Sequence, residues 1–370
     1  MSVLLVVLGP ALIALALWDI FHTMVLPRTL VSRFRLTQLF YRITWPLASW
    51  LARRIPPGRI RDSLLASYGP LSLIALISWW ATVLIVGFAC LGYGVESMQG
   101  VPRGFFQELY LSGTTFFTLG LGDEKPQTAI TRVITFLEAG IGFGTLAIVI
   151  GYLPVLYQAF ARRELNIVLL ASRAGYPSTA AGLLTRLGRH PDESRLLAAL
   201  STYEQWCAEV MENHSSYPML AHYRSQHERQ SWLASLTMLL DTCAVLQVGF
   251  ENHPEWHGAV EDQAELTFAM GCRAVVKLTT LIQPPAREGY PDRLQPARLA
   301  YLARVLSGSG LELRHDPESV SRLNELRQLY EPQVFSIARH LLLDIPPFVV
   351  ESEMFESTTP ESAVRDAEET

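Results

Sequence analysis

Residues 104–123 read GFFQELYLSGTTFFTLGLGD, and this stretch decides the fold class. Phe105 to Phe117 is apolar enough to enter a membrane but too short to cross it, because a crossing helix needs about 20 residues. Glycines alternate at positions 120 and 122, and they permit backbone conformations that are closed to other residues. Successive carbonyls can then point at one axis and replace the hydration shell of an ion. We predict a re-entrant helix at 105–117 followed by a carbonyl-lined strand at 118–123.

Three apolar segments accompany this stretch, at residues 3–26, 71–95 and 133–161. Each is long enough to cross about 30 Å of hydrocarbon. Glu138 is the single charged residue in the last two segments. A cleaved signal peptide is an alternative for the first segment, but no basic residues precede Val3. We therefore interpret all three as retained transmembrane helices, with residues 1–26 as an extra N-terminal one. The predicted fold class is an all-α membrane protein.

The composition narrows the class of protein. The chain has 370 residues, of which 49% are hydrophobic and 18% charged, and its mean hydropathy is +0.21. Soluble domains have about a quarter charged residues, so an ordinary cytosolic enzyme is excluded. A net charge of −5 argues against a nucleic-acid binder, which needs a basic surface. The four cysteines show no paired spacing and are predicted to be buried, reduced thiols. No grouping typical of a catalytic triad or dyad appears.

The arginines determine the predicted orientation. Residues 27–66 carry eight arginines against one acid, Asp62, whereas residues 96–130 carry four acids against Arg103 and Lys125. Basic loops stay on the cytoplasmic side of a plasma or inner membrane, so the N-terminus is predicted outside and the C-terminal region in the cytoplasm. The 27–66 segment alternates arginine with apolar residues, which suits an amphipathic helix on the anionic inner leaflet. A topogenic cluster that packs on the cytosolic domain is the alternative.

Together these features resemble the pore module of potassium channels over residues 71–160. That family has a pore helix, a filter of the Thr-x-Gly-Tyr-Gly-Asp type and an inner helix with a glycine hinge. The matching positions here are Thr115, Thr118, Gly120, Gly122, Asp123, Pro126, Thr128, Arg132 and Gly142, with Thr131 in place of a family glycine. The resemblance implies a pore domain at 67–163, with the pore helix at 105–117 and the selectivity filter at 118–123. Because each chain offers one filter strand, it also implies a homotetramer.

The resemblance also assigns the ion path, with K+ as the permeating ion and no organic cofactor. The expected filter residues are Thr118, Leu119, Gly120, Leu121, Gly122 and Asp123. The first four would supply carbonyls, and the last two would form the top turn and a mouth that concentrates cations. The function implied is passive potassium conduction.

One filter residue departs from the family pattern. Leu121 stands where tyrosine is usual, as in some two-pore-domain potassium channels. The backbone carbonyl survives this change, but the packing and hydrogen bonding of a tyrosine behind the filter are lost. A selective potassium channel, a weakly selective cation channel and a non-conducting membrane receptor or scaffold all stay open at this point. A channel-derived transporter is disfavoured, because those proteins carry four pore repeats in one chain.

Five further residues are expected to support or move the pore. Gly142, Gly151 and Pro154 are expected hinges of the third span, or small and helix-bending residues that only serve packing. Thr115 and Glu138 are expected to support the filter. Glu138 is an acid inside a membrane span, which by default indicates a functional or hydrogen-bonded role.

Asp19 and His22 lie three residues apart on the first span and so share one face of it. A hydrogen-bonded pair near the inner interface is one interpretation. A proton sensor is the other, because histidine titrates near physiological pH.

Residues 164–349 show helical periodicity and are predicted to form an all-helical cytosolic domain. The predicted helices are 179–188, 193–212, 229–249, 258–282, 294–306 and 318–343, with caps at Asp192 and Asp316. No dinucleotide-binding glycine motif appears, so a ligand of this domain stays unknown. His253 and His257 invite a metal site, but Pro254 disfavours the helix that would align them, and no metal site is predicted. Residues 350–370 are acidic and are predicted to be a disordered tail.

Overall fold

The computed structural model describes residues 2–26, 36–175, 177–189, 192–225, 230–256, 258–285 and 289–350. Across these residues the protein has twelve α-helices and one isolated antiparallel bridge, between Phe250 and Leu313. The chain divides into two compact units, Met1–Gln158 and Ala159–Thr370. The predicted all-α fold is confirmed.

The first unit contains the apolar helices. They are α1 (Ser2–Ile20), which continues as a π-helical turn at Phe21–Val25, α2 (Leu36–Arg54), α3 (Arg59–Met98), α4 (Phe105–Phe116) and α5 (Ala129–Ala174), whose distal part belongs to the second unit. Three stretches of the described chain are long and apolar enough to cross a membrane, and they lie in α1, α3 and α5, which confirms the three predicted spans. The 40 residues of α3 and the 46 of α5 make both helices longer than predicted. Each measures about 60 Å or more, twice the thickness of the hydrocarbon layer.

α1 and α3 pack antiparallel through glycines. An added Cβ on Gly9 would lie 2.6 Å from the Gly87 carbonyl oxygen, and one on Gly94 would lie 2.7 Å from a valine side chain of α1. Small residues at such contacts let two helices approach closely, which favours association within lipid. At the end of this interface the hydroxyl oxygens of Ser2 and Ser97 are 2.8 Å apart. The start of α1 and the end of α3 therefore lie at the same level.

Asp19 and His22 bond to other residues of the described chain rather than to each other, so the interpretation as a mutual hydrogen-bonded pair is wrong, while the proton sensor stays a hypothesis. Asp19 Oδ2 accepts hydrogen bonds from Trp80 Nε1 and from the Thr37 hydroxyl, each at 2.7 Å. His22 Nδ1 lies 2.9 Å from the carbonyl oxygen of Trp18. His22 lies in the π-helical turn that starts at residue 21, where the angular spacing differs from that of an α-helix. Asp19 instead ties α1 to α2 and α3.

α2 packs along the first turns of α3. The Thr44 hydroxyl is 2.9 Å from the Tyr68 hydroxyl, and the rings of Trp45 and Tyr68 are 5.0 Å apart between centroids. The other face of α2 carries exposed apolar side chains at Leu39, Ile43, Leu47 and Trp50. This helix has the predicted amphipathic pattern, whereas residues 27–35 of the arginine-rich segment lie outside the described residues.

The second unit is built from shorter helices around a buried central one. They are α6 (Ala180–Gly188), α7 (Glu193–Ser216), α8 (Trp232–Val248), α9 (Ala259–Ile282), α10 (Pro296–Ser307), α11 (Pro317–Gln328) and α12 (Glu331–Leu341). Nearly every side chain of α8 is buried, so this helix forms the core. The carboxylates of Asp192 and Asp316 cap α7 and α11, as predicted.

The single helix predicted at 318–343 is wrong, because the structure divides it into α11 and α12. Tyr330 precedes α12 with φ of −127°. Pro332 lacks a backbone N–H and disfavours helical conformation in the residue before it, so it starts a helix more readily than it continues one. The buried Tyr330 hydroxyl donates to Asp241 Oδ1 at 2.5 Å.

Two histidines of the second unit pack against tryptophans. The His253 ring stacks on the Trp256 ring with the centroids 4.6 Å apart. The His214 ring lies 4.7 Å from the Trp232 ring, and burial lowers the pKa of His214 to about 3, so it is neutral. His257 and the tail residues 351–370 lie outside the described residues, and Val350, predicted to begin the tail, is buried. All four cysteines are free thiols in the described chain, and Cys272 is partly exposed.

Candidate ion pathway

The sign of φ alternates along the backbone that follows α4. φ is +55° at Thr118, +53° at Gly120 and +80° at Gly122. Thr118 is one of only three non-glycine residues with positive φ in the described chain. Leu119 and Leu121 are not among them, so φ is negative at both residues. Alternating left-handed and right-handed residues turns successive carbonyls toward one side. The observed signs of φ are those expected for the predicted carbonyl-lined strand.

α4 holds this strand through backbone hydrogen bonds. The Thr118 amide donates to the Thr115 carbonyl at 2.9 Å, and the Leu119 amide donates to the Thr114 carbonyl at 2.8 Å. Both acceptors belong to the last turn of α4, where carbonyls lack partners within the helix. Thr115 thus supports the strand through its backbone. Thr114 acts in the same way but was not predicted, because a carbonyl leaves no signal in residue type.

The strand is open to its surroundings in the single chain. Leu119 and Leu121 have exposed fractions of 61% and 63%. Around Gly120 and Gly122, no described atom other than those of the glycine and its two chain neighbours lies within 4 Å of where a Cβ would stand. The Leu121 side chain has no polar group with which to bond behind the strand.

Asp123 is held at the end of the strand by the pore-side helix α4. The Tyr110 hydroxyl donates to Asp123 Oδ2 at 2.8 Å, and this bond lowers the pKa of the exposed Asp123 carboxyl. Asp123 therefore stays ionised at physiological pH, as a residue that attracts cations must. The role of Tyr110 was not predicted, because an aromatic residue on an amphipathic helix is equally consistent with a side chain that only packs.

α5 contacts α4 directly below the strand. An added Cβ on Gly142 would lie 2.3 Å from the Phe116 carbonyl oxygen, so only glycine fits there without movement. The buried Glu138 carboxylate accepts a hydrogen bond from the Ser112 hydroxyl. The same hydroxyl oxygen lies 2.9 Å from the Ile85 carbonyl oxygen. Glu138 therefore links α5, α4 and α3 behind the strand.

The hinge residues lie within α5, which runs unbroken through them. Gly151 and Pro154 are both inside Ala129–Ala174. Gly142 has a packing reason for being glycine, whereas no described atom lies within 4 Å of a Cβ at Gly151. Hinge motion at these positions stays a prediction.

A buried ion-pair cluster, which was not predicted, surrounds Arg103 beside the first turn of α4. Arg103 Nη2 is 2.8 Å from Glu124 Oε2, Nη1 is 3.4 Å from Glu96 Oε2, and Nε is 3.2 Å from Glu108 Oε2. Thr131, which replaces the family glycine, donates to Glu96 Oε1 at 3.1 Å. The available signal for this cluster was the excess of acids over basic residues in the segment 96–130.

Comparison with known proteins fits this geometry. Residues 74–158 match a family model, Ion_trans_2, described as "Ion channel". This segment is an ion channel domain. It spans α4, the strand at 118–123 and the parts of α3 and α5 that contact them, and it is not an enzyme fold.

The ion channel domain occupies only part of the chain. One curated relative aligns with the chain over a longer stretch. That relative is the "Uncharacterized membrane protein YdjJ" of Bacillus subtilis (strain 168), 24% identical over 217 residues. The alignment covers 56% of this chain and 62% of the relative, so the chain spans less than two thirds of the relative's length. No solved structure matches the chain. The protein is thus a membrane protein with an ion channel domain.

Proposed function

We propose that the protein is a tetrameric pore that conducts K+ passively across the membrane. The observation that carries the proposal is the alternation of positive φ at Thr118, Gly120 and Gly122 immediately after α4. In this conformation the carbonyls of residues 118–121 form a ladder that can replace the hydration shell of K+. The ionised Asp123 concentrates cations at the entrance of that ladder.

The tetramer follows from what one chain lacks. A single strand offers one column of carbonyls, whereas an ion needs a ring of them. Only 11% of the apolar window of α5 is buried, against 44% for α3. Its large exposed apolar side chains in the first unit include Phe136, Leu137, Phe143, Leu146, Ile150 and Leu153. Four copies related by a closed cyclic axis would bring the strands together and cover part of this surface.

We propose the orientation of the chain in the membrane from the distribution of arginines and from the contact between Ser2 and Ser97. Ser2 and Ser97 lie at the same level, so the N-terminus is on the same side as the loop after α3. The arginine-rich segment at 27–66 is on the other side and would face the anionic inner leaflet. The filter mouth is then outside and the second unit is in the cytoplasm.

Ion flux into liposomes tests the proposal. The purified full chain is reconstituted, and flux is measured under a potassium gradient and then a sodium gradient, with the mass of the detergent-solubilised oligomer determined in parallel. A tetramer with flux for K+ alone is expected. Equal flux for both ions would show a weakly selective cation pore, which the missing hydrogen bond at Leu121 favours. A monomer without flux would contradict the proposal and favour a receptor or scaffold.

The proposal includes gating of α5 by the helical domain, and Arg163 is the residue that supports it. Arg163 follows the apolar segment at 133–161, and its side chain is buried, with an exposed fraction of only 3%. Its Nη1 and Nη2 donate to the carbonyls of Leu220 and Tyr223 at 2.9 and 2.7 Å, and Glu164 accepts from the same guanidinium. The Glu164 carboxylate also accepts from the Ser225 hydroxyl. We call these five residues the α5 clamp.

Arg163→Ala is expected to release the clamp, because it leaves the Glu164 carboxylate without its buried counter-charge. The opening free energy of the 217–225 segment should fall by about 3–5 kcal/mol, measured by hydrogen exchange. In single-channel recordings the open probability should change about tenfold or more, while unitary conductance stays the same. The matched control is the neighbouring, exposed Arg162→Ala, which should change neither. An unchanged open probability in Arg163→Ala would contradict the coupling.

A further inference from the structure

The cluster around Arg103 contains more negative than positive charge. One guanidinium faces the carboxylates of Glu96, Glu108 and Glu124, and the side chains of Arg103, Glu96 and Glu108 are at least nine-tenths buried. On α5, Glu138 also interacts electrostatically with Glu108. A buried group of this kind lowers its energy by binding a proton at one of its carboxylates.

The three carboxylates of the cluster differ in how well they are bonded. Glu96 accepts from the Gln127 amide at 2.8 Å and from the Thr131 hydroxyl at 3.1 Å, in addition to Arg103. Glu124 accepts from Arg103 at 2.8 Å and from the Gln107 side chain at 3.3 Å. Both carboxylates therefore accept hydrogen bonds at each of their two oxygens.

Glu108 is the poorly bonded member. Its Oε2 faces Arg103 Nε at 3.2 Å, but the alignment is not that of a hydrogen bond, and no donor of the described chain bonds to this buried atom. On its other side, Glu108 Oε1 lies 2.1 Å from where a Cβ of Gly92 would stand, so the carboxyl packs against the α3 backbone. Burial raises the pKa of Glu108 to about 7, and the charges of Glu96 and Glu124 add to this rise against the opposing effect of Arg103.

We propose that Glu108 is a proton-binding site beside the pore mouth, and that its protonation transfers Arg103 from Glu108 to Glu96 and Glu124. The proton comes from the solution at the mouth, and it forms an O–H bond on the unbonded Glu108 Oε2. The Glu124 side chain, which is 30% exposed and bonded to the same guanidinium, provides the access. Glu124 directly follows Asp123, so the site is connected to the ion entrance by one peptide unit.

Two consequences follow from the added proton. The outer turn is held more firmly, because Arg103 then has two carboxylates to pair with rather than three. The mouth also loses one negative charge and concentrates cations less strongly. If the protein conducts as proposed above, acid on the filter side reduces inward cation flux by about twofold, a change of the size expected for one partly screened charge.

Infrared difference spectroscopy tests the site without any need for conduction. The full chain is titrated from about pH 5 to pH 9, and the carboxyl C=O stretching band of protonated Glu108 is expected to disappear with a midpoint near 7. Glu108→Gln should lack this titrating band. Glu124→Gln is the matched control, and it should keep the band with a lower midpoint, because a neighbouring negative charge has been removed. Spectra of wild type and Glu108→Gln that titrate identically would overturn the proposal.

Thermal unfolding provides a second readout that also distinguishes Glu108→Gln from a misfolded variant. In the folded protein Glu108 has a higher pKa than in the unfolded chain, where the usual value is 4.5. The folded state therefore binds more protons between these values, and stability falls as pH rises from about 5 to 8. The melting temperature of wild type should fall relative to that of Glu108→Gln over this range. A parallel pH dependence in the two proteins would contradict the site.

A flux measurement, which rests on the proposed function, distinguishes failure of the pore from failure of the proton site. Liposomes are acidified on one side at a time, and flux should fall only when the filter side is acidified, and not in Glu108→Gln. A titrating band with no flux in any protein would contradict the pore and support the proton site. A titrating band in a conducting protein with pH-independent flux would overturn the effect on the mouth.

Discussion

Gly120→Ala is expected to reduce potassium flux to the background of empty liposomes. Gly120 has φ of +53°, a conformation that costs an L-residue with a side chain about 1–2 kcal/mol. A tetramer carries this cost four times, which is about 4–8 kcal/mol and corresponds to a loss of a thousandfold or more. The strain would be relieved by turning the peptide unit, and that removes a carbonyl from the ring.

Gly113→Ala is the matched control for this variant. Gly113 lies in α4, its φ is not positive, and apart from its chain neighbours and the local backbone of α4 no described atom stands within 4 Å of a Cβ there. Alanine also favours a helix by about 1 kcal/mol over glycine, so this variant should assemble and conduct like wild type. Both variants are compared at equal tetramer content by size-exclusion chromatography. More than a tenth of the wild-type flux in Gly120→Ala would show that the ions do not pass along this backbone.

Arg293→Met is expected to destabilise the second unit by about 3–5 kcal/mol. Arg293 forms a buried ion pair with Asp241 on α8, and its Nε lies 3.7 Å from Glu331 Oε1. Its guanidinium also lies over the Phe348 ring, 4.7 Å from the centroid. Methionine keeps the apolar contact but leaves Asp241, which is fully buried, with the Tyr330 hydroxyl as its one remaining hydrogen-bond partner among the described residues. Hydrogen exchange of α8 and α12 measures the loss.

The effect of Arg293→Met should depend on pH. Burial raises the pKa of Asp241 to about 6, and Arg293 opposes that rise. Without Arg293 the pKa rises further, so the unpaired carboxylate costs most above pH 6 and least near pH 4, where it is protonated. Arg322→Met, which removes an exposed arginine 3.9 Å from Glu325, should change stability by less than about 0.5 kcal/mol at any pH. A loss below about 1 kcal/mol in Arg293→Met at pH 8 would contradict the importance of this pair.

Apolar length and periodicity were enough to predict most of the fold. The spans in α1, α3 and α5 follow from uninterrupted apolar residues, and helices such as α7 and α9 follow from periodicity and from breakers at their ends. The division at Tyr330 was missed because helical periodicity continues across Pro332, whereas the backbone does not. The full length of α5 was also missed, because the charged residues in its distal part indicate the end of a membrane span in the sequence.

The ion pathway was predictable to the extent that it depends on residue type. Glycine at 120 and 122 is needed for positive φ, so its position indicates the strand directly. The Thr114 carbonyl, by contrast, has the same chemistry in every residue, and the Tyr110 bond to Asp123 depends on where α4 ends. Such contacts are set by the angle between elements, which no local pattern contains.

The sequence by itself determined the membrane class, the three spans and the strand with its alternating glycines, because each depends on the chemistry of neighbouring residues. Only the tertiary structure decided which charged groups are buried together. Arg103 and Arg163 are both arginines near the ends of spans, yet one gathers three carboxylates beside α4 and the other joins α5 to the 217–225 segment. A charge is stable in a buried place only when distant parts of the chain bring its partners there, and that arrangement exists only in the folded protein.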